Sequence, residues 1–353
     1  MRKQFLFLSL IICLFLTGCQ TTGQKQLMLS FGKEGPYAAK FPTIFVPGLG
    51  FKGDFWSNSK MFRLMEKYGW TYGGDAKIKN ENGKITVDSS NLHPGILYTV
   101  TFSDTQLAII EQGKELALAV EEIKKINHAQ KVVLVGHSMG GLAAREYLQS
   151  DYYRGDVSAY MSVGTPHQGS DFDLKKPLMR LAPGFLKNAI WKVDESGDAV
   201  RDLRTNSIYL NGGNEKNTDS RFRNKDINGN GIIGDEIVGL NNLKKRPLPE
   251  NLIYFCVIGG GDAVISTKGQ SKNSDGIVDI ESADLNELPN VNVPALVLIS
   301  QSDHFGEAND VMIIMQVVRA RQYLVKFSEF NKLEYKSGKP VIQEPGEVLK
   351  SKS

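Results

Sequence analysis

Ser138 is the residue whose setting most strongly suggests chemistry, because it stands in the G-x-S-x-G sequence Gly136–Gly140. Four apolar residues, Val132–Val135, precede this sequence as in a buried parallel strand, and a helical pattern follows it. A strand, a sharp turn and a helix present a nucleophilic serine at the edge of a sheet, and the glycines leave its hydroxyl accessible. The alternative is a Gly-rich turn with an incidental serine, and the strand and helix around Ser138 favour the nucleophile.

An activated serine needs a base within hydrogen-bond reach and a third group that orients the base. On a strand-turn-helix serine site the partners follow in the order serine, acid, histidine, which excludes His93 and His128. His137 lies inside the turn itself and is expected to point elsewhere. His304 follows a predicted strand, whereas His167 stands in a tight turn suited to a structural hydrogen bond. We therefore predict His304 as the base, with His167 as the alternative.

The acid must follow the predicted strand Leu252–Ile258. Five carboxylates come after it: Asp262, Asp275, Asp279, Glu281 and Asp284. Asp275 is favoured, because Gly276 and the apolar pair after it place this residue at the start of an ordered, buried turn. Asp262 is the second candidate, since it follows the strand more closely.

Five segments carry a resemblance to a known family: PTIFVPGLG, VGHSMGGLAAR, SVGTPHQGS, SDGIVD and SDHFG, in this order. Together they resemble the lipase/esterase branch of the α/β-hydrolase family, over roughly Pro42 to Phe327 apart from most of residues 171–250. The resemblance implies Ser138 as nucleophile, Asp275 as acid and His304 as base.

The same resemblance implies that the backbone N–H groups of Leu49 and Met139 form the oxyanion hole. The chain departs from the family at one point, where Pro47-Gly48 replaces the usual His-Gly. Proline cannot supply the hydrogen bonds of that histidine side chain, but the Gly48–Leu49 backbone can still form the hole.

Alternating strand and helix patterns predict an α/β-hydrolase fold, with a mostly parallel central sheet and helices on both faces. The expected domain covers residues 41–327, and residues 171–250 break the alternation as a large lid-like insertion. Within the domain we expect helices at Asn58–Tyr68, Asp104–Asn127 and Asp310–Phe327. Residues 328–353 are charged and are expected to form a flexible C-terminal tail.

The N-terminus resembles a bacterial lipoprotein signal. Arg2 and Lys3 precede the apolar run Phe5–Leu16, which is too short to span a bilayer and is followed by Thr17-Gly18-Cys19. Residues 1–18 are therefore predicted as signal peptide, Cys19 as the lipidated residue and residues 19–40 as a tether. The alternative is an ordinary signal peptide with a chance cysteine. A lipid on Cys19 would anchor the protein to a bacterial membrane, either the cell membrane or the outer membrane, with its domain in the cell envelope outside the cytoplasm.

Charge and cysteine content exclude some other functions. The net charge of +3 falls to +1 without Arg2 and Lys3, and no basic stripe is present, so no nucleic-acid partner is implied. Cys256 is the single cysteine of the predicted domain, which leaves it no partner for an intrachain disulfide there. Its apolar surroundings predict a small buried side chain.

A stretch within the insertion matches the first half of a calcium loop. Asp226, Asn228 and Asn230 place oxygen ligands at positions 1, 3 and 5, a glycine follows at position 6, and Glu236 could close a loop one residue shorter than usual. A structural calcium ion is one hypothesis for this stretch, and an Asn/Gly-rich surface turn is the other.

These observations favour a membrane-anchored serine carboxylic-ester hydrolase that acts through an acyl-enzyme on lipid-like or small esters and requires no cofactor. The large insertion supports a lipid-like substrate, since a lid would cover an apolar site. Two alternatives remain open. One is a non-catalytic envelope lipoprotein on a hydrolase scaffold, and the other is an acyltransferase or amidase that uses the same three residues.

Overall fold

A computed structural model describes residues 41–310 and Ile313, except residues 68, 171–183, 185–186, 213–238, 261–273, 290 and 292. Its strands are β1 Thr43–Val46, β2 Tyr72–Glu81, β3 Lys84–Asp88, β4 Leu97–Thr101, β5 Val132–His137, β6 Val157–Val163, β7 Ile253–Gly259 and β8 Ala295–Ser300. They form one sheet in the order β3-β2-β4-β1-β5-β6-β7-β8, which is parallel except for the β2–β3 pair. The predicted mostly parallel sheet is confirmed.

The described helices are α1 Asp54–Ser57, α2 Lys60–Lys67, α3 Ile109–Ile126, α4 Met139–Leu148, α5 Lys187–Trp191, α6 Asp198–Asp202, α7 Ile208–Asn211 and α8 Ile280–Ala283. The path from β1 to β2 runs towards one edge of the sheet, and the paths through α3 and α4 run towards the other. Because such crossovers are right-handed, this reversal puts α2 on one face and α3 with α4 on the opposite face.

The centre of the sheet is buried on both faces, which explains its apolar sequence. Every residue of β5, β6 and β7 is buried, and Val132–Val135 have no exposed surface. Burying one such side chain stabilises the fold by about 1.5–3 kcal/mol. At the edge, β8 is less covered, and Ile299 remains 61% exposed.

A hairpin around Asn82-Gly83 lies at the opposite edge of the sheet. Both residues have positive φ, 54° and 85°, as a type I′ turn requires, and they join β2 to β3. Asparagine and glycine adopt this conformation at the lowest cost.

The long helix begins five residues later than its sequence pattern predicts, at Ile109 instead of Asp104. The Asp104 carboxylate accepts a hydrogen bond from the Gln106 N–H at 2.9 Å and forms a local turn. The carboxylate of Asp202, from the insertion, accepts a bond from the Ile109 N–H at 3.0 Å. The acid that accepts a bond from the first N–H of this helix therefore comes from a distant segment of the chain. The predicted helix Asn58–Tyr68 is shorter as well, and corresponds to α2.

Several predicted features lie outside the described residues. These are the signal peptide 1–18, Cys19, the tether 19–40, nearly all of the helix Asp310–Phe327 and the tail 328–353. Within the part that the structure describes, none of the helices combines the length and the apolar character needed to cross a membrane.

Candidate active site

Ser138 occupies a strained turn between β5 and α4. Its backbone has φ 52° and ψ −126°, a conformation that non-glycine residues rarely adopt. Such strain costs about 1–3 kcal/mol and persists only where the surrounding structure imposes it. The Ser138 N–H donates to the carbonyl of Val163 at 2.8 Å, which fixes the turn to β6. Ser138 is half-buried between the buried residues His137 and Met139, so the turn presents it at the surface of the site.

The glycines around the serine are required by close packing. A Cβ on Gly136 would lie 2.6 Å from the backbone of Gly140 and Gly141, and one on Gly140 would lie 2.4 Å from the carbonyl oxygen of Pro47. Real Cβ atoms do not approach other atoms so closely. These positions therefore allow the turn to close against the β1 loop.

The loop after β1 lies directly beside the serine. A Cβ on Gly48 would be 3.0 Å from the Cβ of Ser138, which brings the Gly48–Leu49 peptide against the turn. The loop is fixed by the Trp56 indole N–H, which donates to the carbonyl of Val46 at 3.0 Å. Met139 is the first residue of α4, where backbone N–H groups have no intrahelical acceptor. Leu49 and Met139, the residues predicted for the oxyanion hole, are both buried and directly follow Gly48 and Ser138 in the chain.

Asp275 and His304 meet at the same edge of the sheet. The Nδ1 atom of His304 lies 2.7 Å from Oδ2 of Asp275, and each side chain is 1% exposed. Their backbones are also joined, because the His304 N–H donates to the carbonyl of Asp275 at 3.1 Å. An acid at Nδ1 leaves Nε2 as the nitrogen that can exchange a proton with a nucleophile.

The carboxylate of Asp275 is held by backbone donors. Its Oδ1 accepts hydrogen bonds from the N–H groups of Ile277 at 2.8 Å and Val278 at 2.7 Å. Gly276 supplies the positive φ, 94°, that the turn requires. This is the ordered, buried turn that the sequence predicts, and it aims Oδ2 at His304.

The other acid candidates have different surroundings. Asp262 lies outside the described residues, and Glu281 is exposed. Asp284 accepts from the N–H of Asn286 at 2.8 Å in its own turn. Burial and the nearby Asp275 charge raise the pKa of Asp279.

His167, the alternative base, is used in the interior of the fold. Its Nε2 lies 3.0 Å from the hydroxyl of Ser162, and its Nδ1 lies 3.5 Å from the guanidinium of Arg145. Burial and the Arg145 charge lower the pKa of His167 well below its usual value. The structural role expected from its tight turn fits these contacts.

Two residues near Asp275 and His304 were not identified from the sequence. His137 places Nε2 2.7 Å from the backbone carbonyl oxygen of His304, and Glu307 lies fully buried in the 3-10 turn Glu307–Asn309. Only the folded chain brings them together, because they belong to β5 and to the segment after β8. Neither residue carries a sequence signal of its role beyond closeness to Ser138 or His304.

Among the described residues, one group of acids and histidines places its ligand atoms within 4.8 Å of one another: His137, His304 and Glu307. Two ring nitrogens of this group already form hydrogen bonds, to Asp275 and to the His304 carbonyl. We interpret the group as a hydrogen-bonding cluster and assign no metal to it. The predicted calcium ligands Asp226, Asn228, Asn230 and Glu236 lie outside the described residues.

The insertion is tied to α4 beneath the site by buried charges. The guanidinium of Arg145 donates to the carbonyl of Leu240 at 3.2 Å and to the side chain of Asn241 at 3.1 Å. Glu146 pairs with Arg246 at 2.6 Å and accepts from the Tyr209 hydroxyl at 2.5 Å. The base of the insertion is thus a fixed part of the domain.

Another part of the insertion covers the β1 loop. A Cβ on Gly50 would lie 3.0 Å from the side chain of Val193, just after α5. The Gln106 side chain holds this segment, because it donates to the carbonyl of Lys192 at 3.2 Å and accepts from the N–H of Asp194 at 2.6 Å. Trp191 at the end of α5 is 68% exposed.

Comparison with curated proteins finds partial relatives. GPI inositol-deacylase A of Yarrowia lipolytica is 27% identical over 124 residues, which cover 32% of this chain and 11% of that protein. The triacylglycerol lipase of Pseudarthrobacter phenanthrenivorans is 25% identical over 154 residues, which cover 43% of this chain and 42% of the lipase. The chain spans less than half the length of these curated relatives.

Comparison with solved structures finds bacterial proteins of low identity. The mature lipase BlEst2 of Bacillus licheniformis is 20% identical, with a TM-score of 0.46, and the match covers 81% of this chain and 95% of that one. The lin2722 product of Listeria innocua is 16% identical, with a TM-score of 0.47 and coverage of 84% and 96%.

A sequence family described as "Alpha/beta hydrolase of unknown function (DUF915)" matches residues 36–228, which is more than half of the chain. The matched region contains the sheet from β1 to β6 and the Ser138 turn. The protein therefore belongs to this α/β-hydrolase family, as a member similar to lipases and esterases.

Proposed function

We propose that the protein is a membrane-anchored serine carboxylic-ester hydrolase that acts on lipid-like esters. The observation that carries the proposal is the buried Asp275–His304 pair, at 2.7 Å, on the sheet edge where the strained Ser138 turn also lies. A non-catalytic scaffold has no need of backbone strain at a serine together with a buried acid–histidine pair. The strain is maintained here by contacts from β1 and β6.

In the proposed mechanism the Ser138 hydroxyl attacks the ester carbonyl while His304 accepts its proton. Asp275 holds the imidazole in orientation and stabilises its positive charge, and the N–H groups of Leu49 and Met139 stabilise the oxyanion. His304 then gives the proton to the departing alcohol, which leaves an acyl-enzyme. Water attacks the acyl group and loses a proton to His304. His304 gives this proton to the Ser138 oxygen as the acyl–oxygen bond breaks, which releases the carboxylic acid and free Ser138.

A lipid-like acyl group is supported by the apolar residues around the site. The rings of Phe51 and Phe305 are 5.9 Å apart, and Phe51 stacks on Phe55 at 5.2 Å. The insertion segment with Val193 covers the loop that carries Leu49. The names of the curated relatives, a triacylglycerol lipase and an inositol deacylase, support an ester substrate as well.

The membrane anchor belongs to the same proposal, and rests on the signal-like segment and Cys19. A lipid on Cys19 would hold the hydrolase at the surface where its substrates are found. Cys19→Ser should abolish labelling by a fatty-acid probe in cells and release or mislocalise the protein, without a change in the hydrolysis of soluble esters. Recovery of unlabelled wild-type protein from the soluble fraction would contradict the anchor.

The deciding experiment is labelling of the full-length, detergent-solubilised protein with a fluorophosphonate, which reacts only with an activated serine. The wild type should be labelled, Ser138→Ala and His304→Ala should not, and the exposed control Ser89→Ala should behave as the wild type. An unlabelled wild type would favour the non-catalytic lipoprotein. A series of p-nitrophenyl esters of increasing chain length then identifies the acyl preference.

The assignment of Asp275 as the catalytic acid can be tested by comparing two variants. Asp275→Asn should lower kcat by about 10⁴-fold, because the amide no longer holds the required tautomer of His304. Asp262→Asn is the matched control, and a large loss there with a mild loss at Asp275 would show that the assignment is wrong. Products formed with added alcohols or amines separate hydrolysis from acyl transfer to those acceptors.

A further inference from the structure

Glu307 is a buried acid immediately behind the candidate catalytic pair. It has no exposed surface, and neither of its carboxyl oxygens has a hydrogen-bond partner among the described residues. A buried carboxylate without donors is strongly unfavourable, so a carboxyl group in this setting is expected to be neutral. The proposed mechanism gives Glu307 no role, which makes its position a feature to explain.

Two glycines make the space for this carboxyl group. A Cβ on Gly164, after β6, would lie 2.1 Å from Oε2 of Glu307, and a Cβ on Gly259, at the end of β7, would lie 2.2 Å from Oε1. The same hypothetical atoms would lie 3.1 Å from Nδ1 of His304 and 2.6 Å from the Cβ of Asp275. The Glu307 carboxyl thus occupies a cradle that is shared with both members of the pair.

The titratable groups that face Glu307 do not favour its ionisation. Asp275 and Asp303 both act on it with negative charge, and His137 and His304 present imidazole nitrogens within 4.8 Å. Burial raises the pKa of Glu307 well above its usual value and the Asp275 charge raises it further, against a smaller lowering by the nearby backbone N–H of Gly259. Burial also lowers the pKa of His137 well below its usual value, so His137 supplies no positive charge at neutral pH.

Among the described residues, the other elements packed against this turn bring no charge to it. On α2, the side chains of Lys60 and Arg63 are exposed to solvent. On β7, the thiol of Cys256 is directed to Ser162, and burial raises the pKa of this thiol to about 12. These surroundings therefore favour the protonated form of Glu307.

Asp275 has one acceptor position left for that proton. A carboxylate offers about four lone-pair positions. Three are used, by the N–H groups of Ile277 and Val278 on Oδ1 and by His304 on Oδ2. The terminal torsion of a glutamate side chain is soft, so a rotation of the Glu307 carboxyl can direct its O–H to the remaining position.

We propose that Glu307 is a positioning residue that, in its protonated form, donates a hydrogen bond to the carboxylate of Asp275. This inference rests on the proposed function, since it assigns Glu307 a task in the Asp275–His304 pair. The bond would stabilise the charge of Asp275 and fix its orientation. It would also limit how strongly Asp275 attracts a proton onto His304, which must be unprotonated to activate Ser138.

Two variants of the full-length protein in detergent test the proposal, with the rate of fluorophosphonate reaction measured against pH. Glu307→Gln keeps a neutral donor of the same shape and should leave the midpoint of the acid limb where it is in the wild type. Glu307→Leu removes the donor, so that limb should move to higher pH and the maximal rate should fall by about tenfold or more.

Three results would overturn the proposal. If Glu307 were ionised, Glu307→Gln would remove a negative charge beside His304 and move the acid limb to lower pH, by about one unit or more. An unchanged limb in Glu307→Leu would make Glu307 a packing residue only. If Glu307→Leu does not fold, infrared spectroscopy provides the test. The wild type must then show a protonated carboxyl band near neutral pH that Glu307→Gln lacks. Absence of that band overturns the proposal without any measurement of activity.

Failure of the proposed function has a different signature. A wild type that never reacts with the fluorophosphonate would refute the serine hydrolase, whatever the infrared result. A reactive wild type without the protonated carboxyl band would refute only the role of Glu307.

Discussion

The Nε2 atom of His137 lies 2.7 Å from the backbone carbonyl oxygen of His304, so the residue before the strained serine is bonded to the loop that carries the candidate base. The other ring nitrogen, Nδ1, has no hydrogen-bond partner among the described residues. The pairing therefore assigns the ring proton to Nε2, which donates to the carbonyl. The ring also stacks on Phe55, with centroids 4.8 Å apart. His137 thus links β5 to the segment after β8.

This link predicts the effect of two substitutions at His137. His137→Leu removes the donor, and the loss of one hydrogen bond that positions His304 should lower kcat about tenfold with little change in KM. His137→Gln places an amide donor close to the position of Nε2 and should recover most of the loss. Steady-state ester hydrolysis and melting temperature are measured together. Equal loss in both variants would show that the hydrogen bond is not the cause.

Burial of Glu307 also predicts how stability depends on pH. Below about pH 4 the carboxyl is protonated in both the folded and the unfolded chain. As pH rises above this value, the unfolded chain loses the proton while the folded chain keeps it, because burial raises the pKa of Glu307. Folded wild type is therefore destabilised by up to about 1.4 kcal/mol per pH unit until the folded state also ionises.

Glu307→Gln removes this cost, so its melting temperature relative to the wild type should increase as pH is raised from about 4 to 7. The buried histidines His137 and His167 are present in both proteins, and their contributions cancel. Glu281→Gln, at an exposed site, is the control for the substitution itself. A constant difference between Glu307→Gln and the wild type over this pH range would show that Glu307 titrates alike in both states.

The parts of the fold that the sequence predicted well are those whose signal is local. β5 contains the predicted run Val132–Val135, and β7 lies within one residue of the predicted Leu252–Ile258, because buried parallel strands appear as short apolar runs. The start of α3 was predicted wrongly, since the acid that bonds its first N–H is Asp202 from the insertion. Asp275 was chosen as the acid because of a local turn signal. The catalytic roles of Asp275, Ser138 and His304 stay predictions.

The contacts of His137 and Glu307 could not be predicted, because they depend on where the segment after β8 lies against β5, β6 and β7. No periodicity or motif spacing contains that relationship. The Gly164 and Gly259 cradle is equally hidden, since each glycine alone is explained by the end of a strand. Only the folded structure shows that both glycines leave space for the Glu307 carboxyl.

The calcium hypothesis for Asp226, Asn228, Asn230 and Glu236 predicts a ligand-dependent stability. If the loop binds calcium in the range of extracellular modules, about 10⁻⁴–10⁻³ M, then millimolar calcium should raise the melting temperature by mass action. Asp226→Ala should abolish the increase, and magnesium at the same concentration should produce a smaller one, since it prefers fewer protein ligands. An identical melting curve in calcium and in chelator would identify this stretch as an ordinary turn.

Because the Glu146–Arg246 pair is buried between α4 and the insertion, breaking it is expected to lower the stability of the domain. The two side chains are 3% and 13% exposed, and Glu146 belongs to α4, directly after the Ser138 turn. Arg246→Met leaves the Glu146 carboxylate buried without its cation, and should lower the free energy of unfolding by about 3–5 kcal/mol. The control is Arg154→Met, whose partner Glu121 is 57% exposed, and about 0–1 kcal/mol is expected there.

The double variant Glu146→Gln/Arg246→Met separates the pair from its surroundings. With both charges removed, no buried ion is left unpaired, so the loss should be clearly smaller than the sum of the two single losses. The Tyr209 hydroxyl can still donate to the amide oxygen at position 146, which keeps α7 attached. Urea unfolding of the three variants gives the coupling energy. Additive losses would mean that Glu146 and Arg246 act independently.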